Sequence, residues 1–145
     1  MSLHLVIPGK PRGQGRPRFA RVGAGVRTYT DAETRSYAER VQTEWIAAGR
    51  PMVPKGPYSV RIAAFMERPA GHFKRDGSLS ASGVRSPYPT GKPDADNIAK
   101  LVLDALTGVG ALPDDALCVR WRVVKEWGET ANLVVEARAL EAAAA

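Results

Sequence analysis

The sequence predicts an α+β domain, a mixed β-sheet with two main helices in the order β-α-β-α-β-β, occupying one unit over residues 1–145. Three observations carry that reading. The chain has 145 residues, 44% hydrophobic and 25% charged, which is ordinary for a soluble domain and enough for one core. Apolar residues recur every second position in several short runs and at helical spacing in two longer ones. Strand-like and helix-like runs alternate, and only the last two strand-like runs follow one another directly.

Leu3–Ile7 is a short apolar run closed by Pro8 and Gly9 and reads as the first strand. From Lys10 to Arg27 the composition turns basic, with six cations (Lys10, Arg12, Arg16, Arg18, Arg21 and Arg27), no acid and repeated Gly and Pro. This predicts a turn-rich basic loop over 10–27. Thr30, Asp31, Ala32 and Glu33 fit a T-x-x-E capping box, and Tyr37, Val41, Trp45 and Ala48 then follow at helical spacing until Gly49 and Pro51. The first helix is therefore expected over Asp31–Ala48. Tyr58, Val60, Ile62, Ala64 and Met66 alternate with Ser59, Arg61, Ala63 and Phe65, a second strand with both faces at least partly covered.

Residues Ala70–Lys92 are rich in Gly, Ser and Pro and carry Lys74, Arg75, Arg85 and Lys92 against one acid, Asp76. A long basic loop over 70–92 is expected, of a kind that compact domains keep for function. Ile98, Leu101, Val102, Ala105 and Leu106 trace an amphipathic helix ending at Gly108. Leu117–Trp127 and Leu133–Leu140 alternate on either side of Gly128–Thr130, which predicts a C-terminal β-hairpin.

Charge and rare residues narrow the function. Lys and Arg number 21 against 15 Asp and Glu, a formal charge of +6, which favours a polyanionic partner. Cys118 is the one cysteine, and His4 and His72 are the only histidines. A disulfide framework within the chain, a Cys-rich zinc site and an HExxH site are excluded, so metal chemistry must rest on oxygen ligands. The opening MSLHLVIPGK has too short an apolar run for a signal-peptide core, and no run approaches the length of a membrane span. The expectation is a soluble, cytoplasmic protein with no membrane partner.

The densest polar feature is KPDADNIAK, Lys92–Lys100, at the opening of the second helix. An Asp at a helix start is ordinarily a cap or a dipole partner. Here Asp94 and Asp96 stand two apart and a second acid pair, Asp114 and Asp115, follows the helix, which the chain returning through Val109–Pro113 is expected to bring near the first. Clustered carboxylates repel unless a cation offsets them, and hard Mg²⁺ or Mn²⁺ takes oxygen ligands. In phosphodiester hydrolysis such ions generate the attacking hydroxide and stabilise the leaving oxygen. Arg85, Lys92, Lys100 and the cations of the 10–27 loop are candidate phosphate contacts. Lys125 reads either as an edge-strand charge or as a further phosphate contact. Asp104 lies on the face of Asp96 and Lys100 and reads as a solvated charge.

KPDADNIAKLVLDALTG, followed by LPDDALCVRWRVVKEW, resembles the RusA family of Holliday-junction resolvases, endonucleases carried mostly by phages and prophages. The pattern is K/R-P-D-x-D-N, a Lys four residues after the second Asp, D-A-L, then D-D and a strand ending in Lys. It covers about a quarter of the chain, and GKPRGQGRPRF is similar to the family's basic opening. The resemblance implies a RusA-like fold, a homodimer, and Mg²⁺-dependent nicking of four-way DNA junctions in recombination and repair. It puts the metal ligands on Asp94, Asp96 and Asp115 and the essential lysine on Lys100; Asp114 beside them reads either as a spare ligand or orienter or as a Pro-Asp turn residue, and is ranked a supporting acid. Two other readings stay open: a nuclease for other branched DNA, and a DNA-binding module whose acids hold a structural cation.

Overall fold

The computed structural model describes residues 2–15, 18–29 and 31–141; for 18–20 and 27–29 it describes the backbone only. Its centre is a four-stranded mixed sheet of β1 (Ser2–Pro8), β6 (Asn132–Ala139), β4 (Tyr58–Glu67) and β5 (Cys118–Gly128), in that spatial order. β6 runs antiparallel to both β1 and β4, whereas β4 and β5 are parallel. Parallel neighbours need a crossover, and here it contains α3 (Ala95–Gly108). The alternation of the sequence becomes burial on one face. Leu3, Leu5, Ile7, Val60, Ile62, Ala64, Leu133 and Val135 are buried there, against α1 (Ala32–Ala47) and α3.

α1 contributes Tyr37, Val41 and Trp45 to this core, and α3 contributes Ile98, Leu101, Val102, Ala105 and Leu106. The helices meet each other where Gln42 Nε2 donates to the Ala105 carbonyl at 3.2 Å. Asp31, rather than the expected Thr30, caps α1: its Oδ1 accepts the Thr34 amide and its Oδ2 the Thr34 hydroxyl, both at 2.9 Å. A carboxylate presents two acceptor oxygens, one for each donor, where a threonine hydroxyl has a single oxygen. Thr30 itself lies outside the described residues.

Three expectations are corrected. The expected C-terminal hairpin does not form, because β4 lies between β5 and β6 and pairs with both. Residues 129–131 therefore bridge two strand spacings, about 10 Å. Gly128 makes the passage possible, since a Cβ there would stand 3.0 Å from Phe65 Cβ and 3.2 Å from the Thr130 carbonyl. The basic loop contains a two-stranded ribbon of β2 (Arg18–Val22) and β3 (Gly25–Tyr29), turning at Gly23 with φ +59°. Its strands lack the apolar alternation that marks a strand over a core. The 70–92 segment is likewise folded: it holds a 3₁₀ turn at Ala70–His72, a Phe73–Leu79 bridge and the short helix α2 (Ala81–Arg85).

Candidate active site

α3 begins as the sequence suggests, one residue inside Asp94. Asp94 has the extended backbone of an N-cap, yet its side chain accepts no helix amide. Its Oδ2 instead pairs with Lys92 Nζ at 3.0 Å. A carboxylate at a helix start that is not spent on capping is free to serve another group. Asp96 follows in the first turn and is exposed, as is Lys100 one turn on. Among the described residues Lys100 makes no ion pair or hydrogen bond, so the helix-pair role with Asp96 is not taken up.

The basic segment lies alongside this helix start. The Gln14 amide donates to the Asn97 carbonyl at 2.9 Å, and the Gly15 amide donates to Thr34 Oγ1 at 3.0 Å. Gly13 and Gly15 permit this approach. A Cβ on Gly13 would meet Asn97 Cβ at 2.9 Å and Pro93 Cβ at 3.0 Å, and one on Gly15 would overlap Asp31 Oδ2. In the sequence these glycines read as turn formers only. A cleft of about 270 Å³ remains between the segment and the helix start, lined by Lys10, Arg12, Glu33, Lys92 and Pro93 among others. Arg12 Nη1 lies 3.3 Å from Glu33 Oε2 across it. On the β5 side, Lys125 Nζ donates to the Gly91 carbonyl at 2.6 Å, using one of its three donors. Arg21 and Arg85 are exposed; Arg16 and the side chain of Arg18 lie outside the described residues.

The second acid pair is elsewhere. Asp114 caps the 3₁₀ turn Asp115–Leu117, its Oδ1 accepting the Ala116 amide at 3.0 Å. That amide, and then a hydrogen bond with the Asp115 side chain, holds the Asp114 carboxyl below its ordinary range. Both acids face Tyr58 at the beginning of β4. Burial above all, then the negative charge of Cys118, Asp115 and Asp114, pushes the Tyr58 phenol up to about 12. Its hydroxyl donates to the Pro113 carbonyl at 3.3 Å. Burial also pushes the Cys118 thiol up, with the Arg120 backbone acting against it and Asp115 adding to it.

Asp94 and Asp96 thus sit at the Phe65–Lys125 end of the sheet, and Asp114 and Asp115 at the Tyr58–Cys118 end. The strand from Cys118 to Lys125 alone spans about 23 Å. The chain does not return along the helix as expected: the Ala111 and Leu112 amides both bond to the Leu106 carbonyl and stay at the C-terminal end of α3. Among the described residues no three His, Cys, Asp or Glu side chains gather closely enough to hold a metal ion. Asp94 and Asp96 by themselves suit a hard cation that keeps several waters and takes substrate phosphate oxygens. A third carboxylate from Asp115 is out of reach within one chain.

A basic segment folded onto a helix start that carries two acids sets cations suited to backbone phosphates beside carboxylates suited to a hard cation. The family model described as "Endodeoxyribonuclease RusA" matches residues 8–138. The chain belongs to the RusA endodeoxyribonuclease family. The match begins at the last residue of β1 and takes in the basic segment, both main helices, β4, β5 and nearly all of β6, far more than the quarter of the chain that carries the motif. Among curated proteins, none matches the chain. No helix among the described residues is long and apolar enough to cross a membrane.

Proposed function

We propose that this RusA-family protein is a Mg²⁺-dependent endonuclease, also served by Mn²⁺, that resolves four-way DNA junctions inside the cell by paired nicking. The observation that carries the reading is the helix start at Asp94 and Asp96. There an uncapped carboxylate and a second acid share the helix start, with the ammonium of Lys100 one turn on; Lys10, Arg12 and Lys92, which line the neighbouring cleft, and Lys125, bonded at Gly91, are read as a collar of cations around it. The collar holds the backbone phosphates on either side of the cut and restrains the DNA so that one phosphodiester faces the acids. Asp94 and Asp96 would hold the cation, which would supply Lewis acidity and charge neutralisation at the reacting phosphate. Lys100 presents its ammonium to the charge that grows on the phosphoryl oxygens.

The working unit in this reading is a homodimer, and the separation of the acids supports it. β5 is an edge strand of 11 residues, with Val119 60% and Trp121 54% exposed. A long edge strand with exposed large apolar side chains is a template for pairing with another chain. If two β5 strands pair antiparallel about a twofold axis, each reverses the other, and the Asp115 end of one copy meets the Lys125 end of its partner. Each site then combines Asp94, Asp96 and Lys100 of one copy with Asp115 of the other, and Asp114 keeps Asp115 oriented. Two such sites match the two cuts that a four-way junction needs.

The test is cleavage of a labelled synthetic four-way junction against linear duplex and a flap of the same sequence, with Mg²⁺ and with EDTA. Metal-dependent, symmetric nicking of the junction in preference to the others is expected. Equal cutting of all three would replace the junction reading with a weakly specific branched-DNA nuclease. Binding without cutting would leave only a DNA-binding module.

A further inference from the structure

The segment that leads from β4 to the acids is fastened at two points, both by side chains of the sheet end. Arg68, just past β4, places Nη1 3.0 Å from the Gly83 carbonyl, 3.1 Å from the Ser86 carbonyl and 3.2 Å from His72 Nδ1. Its guanidinium carbon lies 5.2 Å from the centre of the Trp127 ring. Trp127 Nε1 donates to the same Ser86 carbonyl at 2.8 Å, and His72 meets the ring edge-on at 5.5 Å. Two residues earlier on the same face of β5, Lys125 makes the second fastening, at Gly91. Between Ser86 and Gly91 run Pro87, Tyr88, Pro89 and Thr90, of which Pro89 is buried. Two prolines with fixed φ make this a stiff connector. Lys92, Pro93 and Asp94 follow immediately.

We propose that Arg68, Trp127 and Lys125 form a clamp whose task is to hold the Ser86–Lys92 connector and, through it, to position Asp94 and Asp96 for metal binding and strand cleavage. The inference rests on the nuclease reading above and makes the three positioning residues rather than ligands. None of the buried hydrophobic core side chains comes from residues 70–92. The fold therefore has no need of this segment for its interior, and the bonds converge instead on the approach to the acids. Arg68 is suited to the place because one guanidinium nitrogen, Nη1, serves both carbonyls while the planar group lies over an indole, and it meets the last carbonyls of α2, where a cation is favoured. Gly83 completes the arrangement: a Cβ there would overlap the His72 carbonyl.

Hydrogen exchange of the full-length protein without DNA or metal, compared with single-turnover junction cleavage across a Mg²⁺ titration, tests the clamp. Arg68→Ala is expected to speed amide exchange from Ser86 to Asn97 and to leave β4, β6 and the later turns of α3 protected. Cleavage should fall about 10- to 100-fold at ordinary Mg²⁺ and recover in part at high Mg²⁺, with junction affinity unchanged. Arg68→Lys should resemble Arg68→Ala, whereas Trp127→Phe, which keeps the ring and loses the bond to Ser86, should lie between these variants and the wild type. Lys125→Met probes the other fastening and should raise the Mg²⁺ requirement in the same way, with some junction affinity lost besides, because Lys125 also belongs to the phosphate-holding collar. Unchanged exchange over Ser86–Asn97, wild-type cleavage in all the variants, or a loss of protection throughout the sheet would each overturn the proposal. If the wild type cuts no junction, the nuclease reading fails while the exchange result still decides whether the clamp holds the connector.

Discussion

The Gln14 amide and the Asn97 carbonyl, 2.9 Å apart, join the basic segment to the first turn of the acidic helix. Elements 83 positions apart in the sequence thereby become one surface, with cations on one bank and carboxylates on the other. The bond requires the backbones to come close, and Gly13 is what allows it.

Gly13→Ala should therefore lift the segment off α3. An added methyl in a packed contact costs about 1–3 kcal/mol. The expected result is a small fall in melting temperature with a larger loss of junction affinity, measured by titration at fixed salt. A variant with wild-type affinity would show that the position of the segment does not matter for binding.

Complementation tests whether the site is shared between copies. Asp96→Asn and Asp115→Asn should each abolish cleavage and keep junction binding, and Asp94→Asn should behave alike. Mixing and re-equilibrating the Asp96→Asn and Asp115→Asn proteins should restore nicking to about a quarter of the wild-type rate. About half of randomly assorted dimers are mixed, and each of those regains one complete site. Two inactive proteins that stay inactive when mixed would put all the ligands in one chain. Asp104→Asn should be silent throughout.

Lys100→Ala should fold and bind junctions normally yet cut about 10² to 10³ times more slowly, the usual loss when a donor to transition-state charge is removed. Lys100→Arg should recover little, since a planar fork does not replace a compact ammonium. A normal single-turnover rate for Lys100→Ala would remove the lysine from the chemistry.

Alkaline stability should follow the two buried tyrosines. Burial pushes the Tyr37 phenol up to about 12, with Arg40 pulling the other way, and Tyr58 reaches a similar value. The folded state holds these protons more tightly than the unfolded chain. Their contribution is complete below the ordinary value near 10 and is lost as pH rises from 10 to about 12. The Tyr37 hydroxyl is also buried without a hydrogen-bond partner among the described residues. Tyr37→Phe should hold or raise the melting temperature at pH 7 and flatten part of the alkaline loss, read from thermal melts between pH 8 and 12.

Much of this was legible in the sequence because it depends on neighbours along the chain. The period of Ile98, Leu101, Val102 and Ala105 marks the buried face of α3, and the alternation in Leu3–Ile7 and Tyr58–Met66 marks the strands. The motif at Lys92–Lys100 brings Asp94, Asp96 and Lys100 to one helix start because six positions span only about 9 Å along a helix. The β2–β3 ribbon and the fold of the 70–92 segment were not legible. Neither rests on an apolar period, and the second is held by Arg68, His72 and Trp127, residues with no local sign of a shared task.

The sequence by itself determined the two main helices, the four strands of the central sheet, their core faces and the acids that accompany the basic segment. Only the tertiary structure decided where the second acid pair lies. The turn signal at Gly128–Thr130 favours pairing β5 with β6, but β4 takes the place between them and runs parallel to β5. A parallel neighbour obliges the crossover helix to travel back along the strands, about 21 Å for the 14 residues of α3. Its start and its end therefore lie at opposite ends of the sheet, and with them Asp94 and Asp115. Strand order follows from which edges find partners across the whole molecule, and no local pattern of residues encodes that choice.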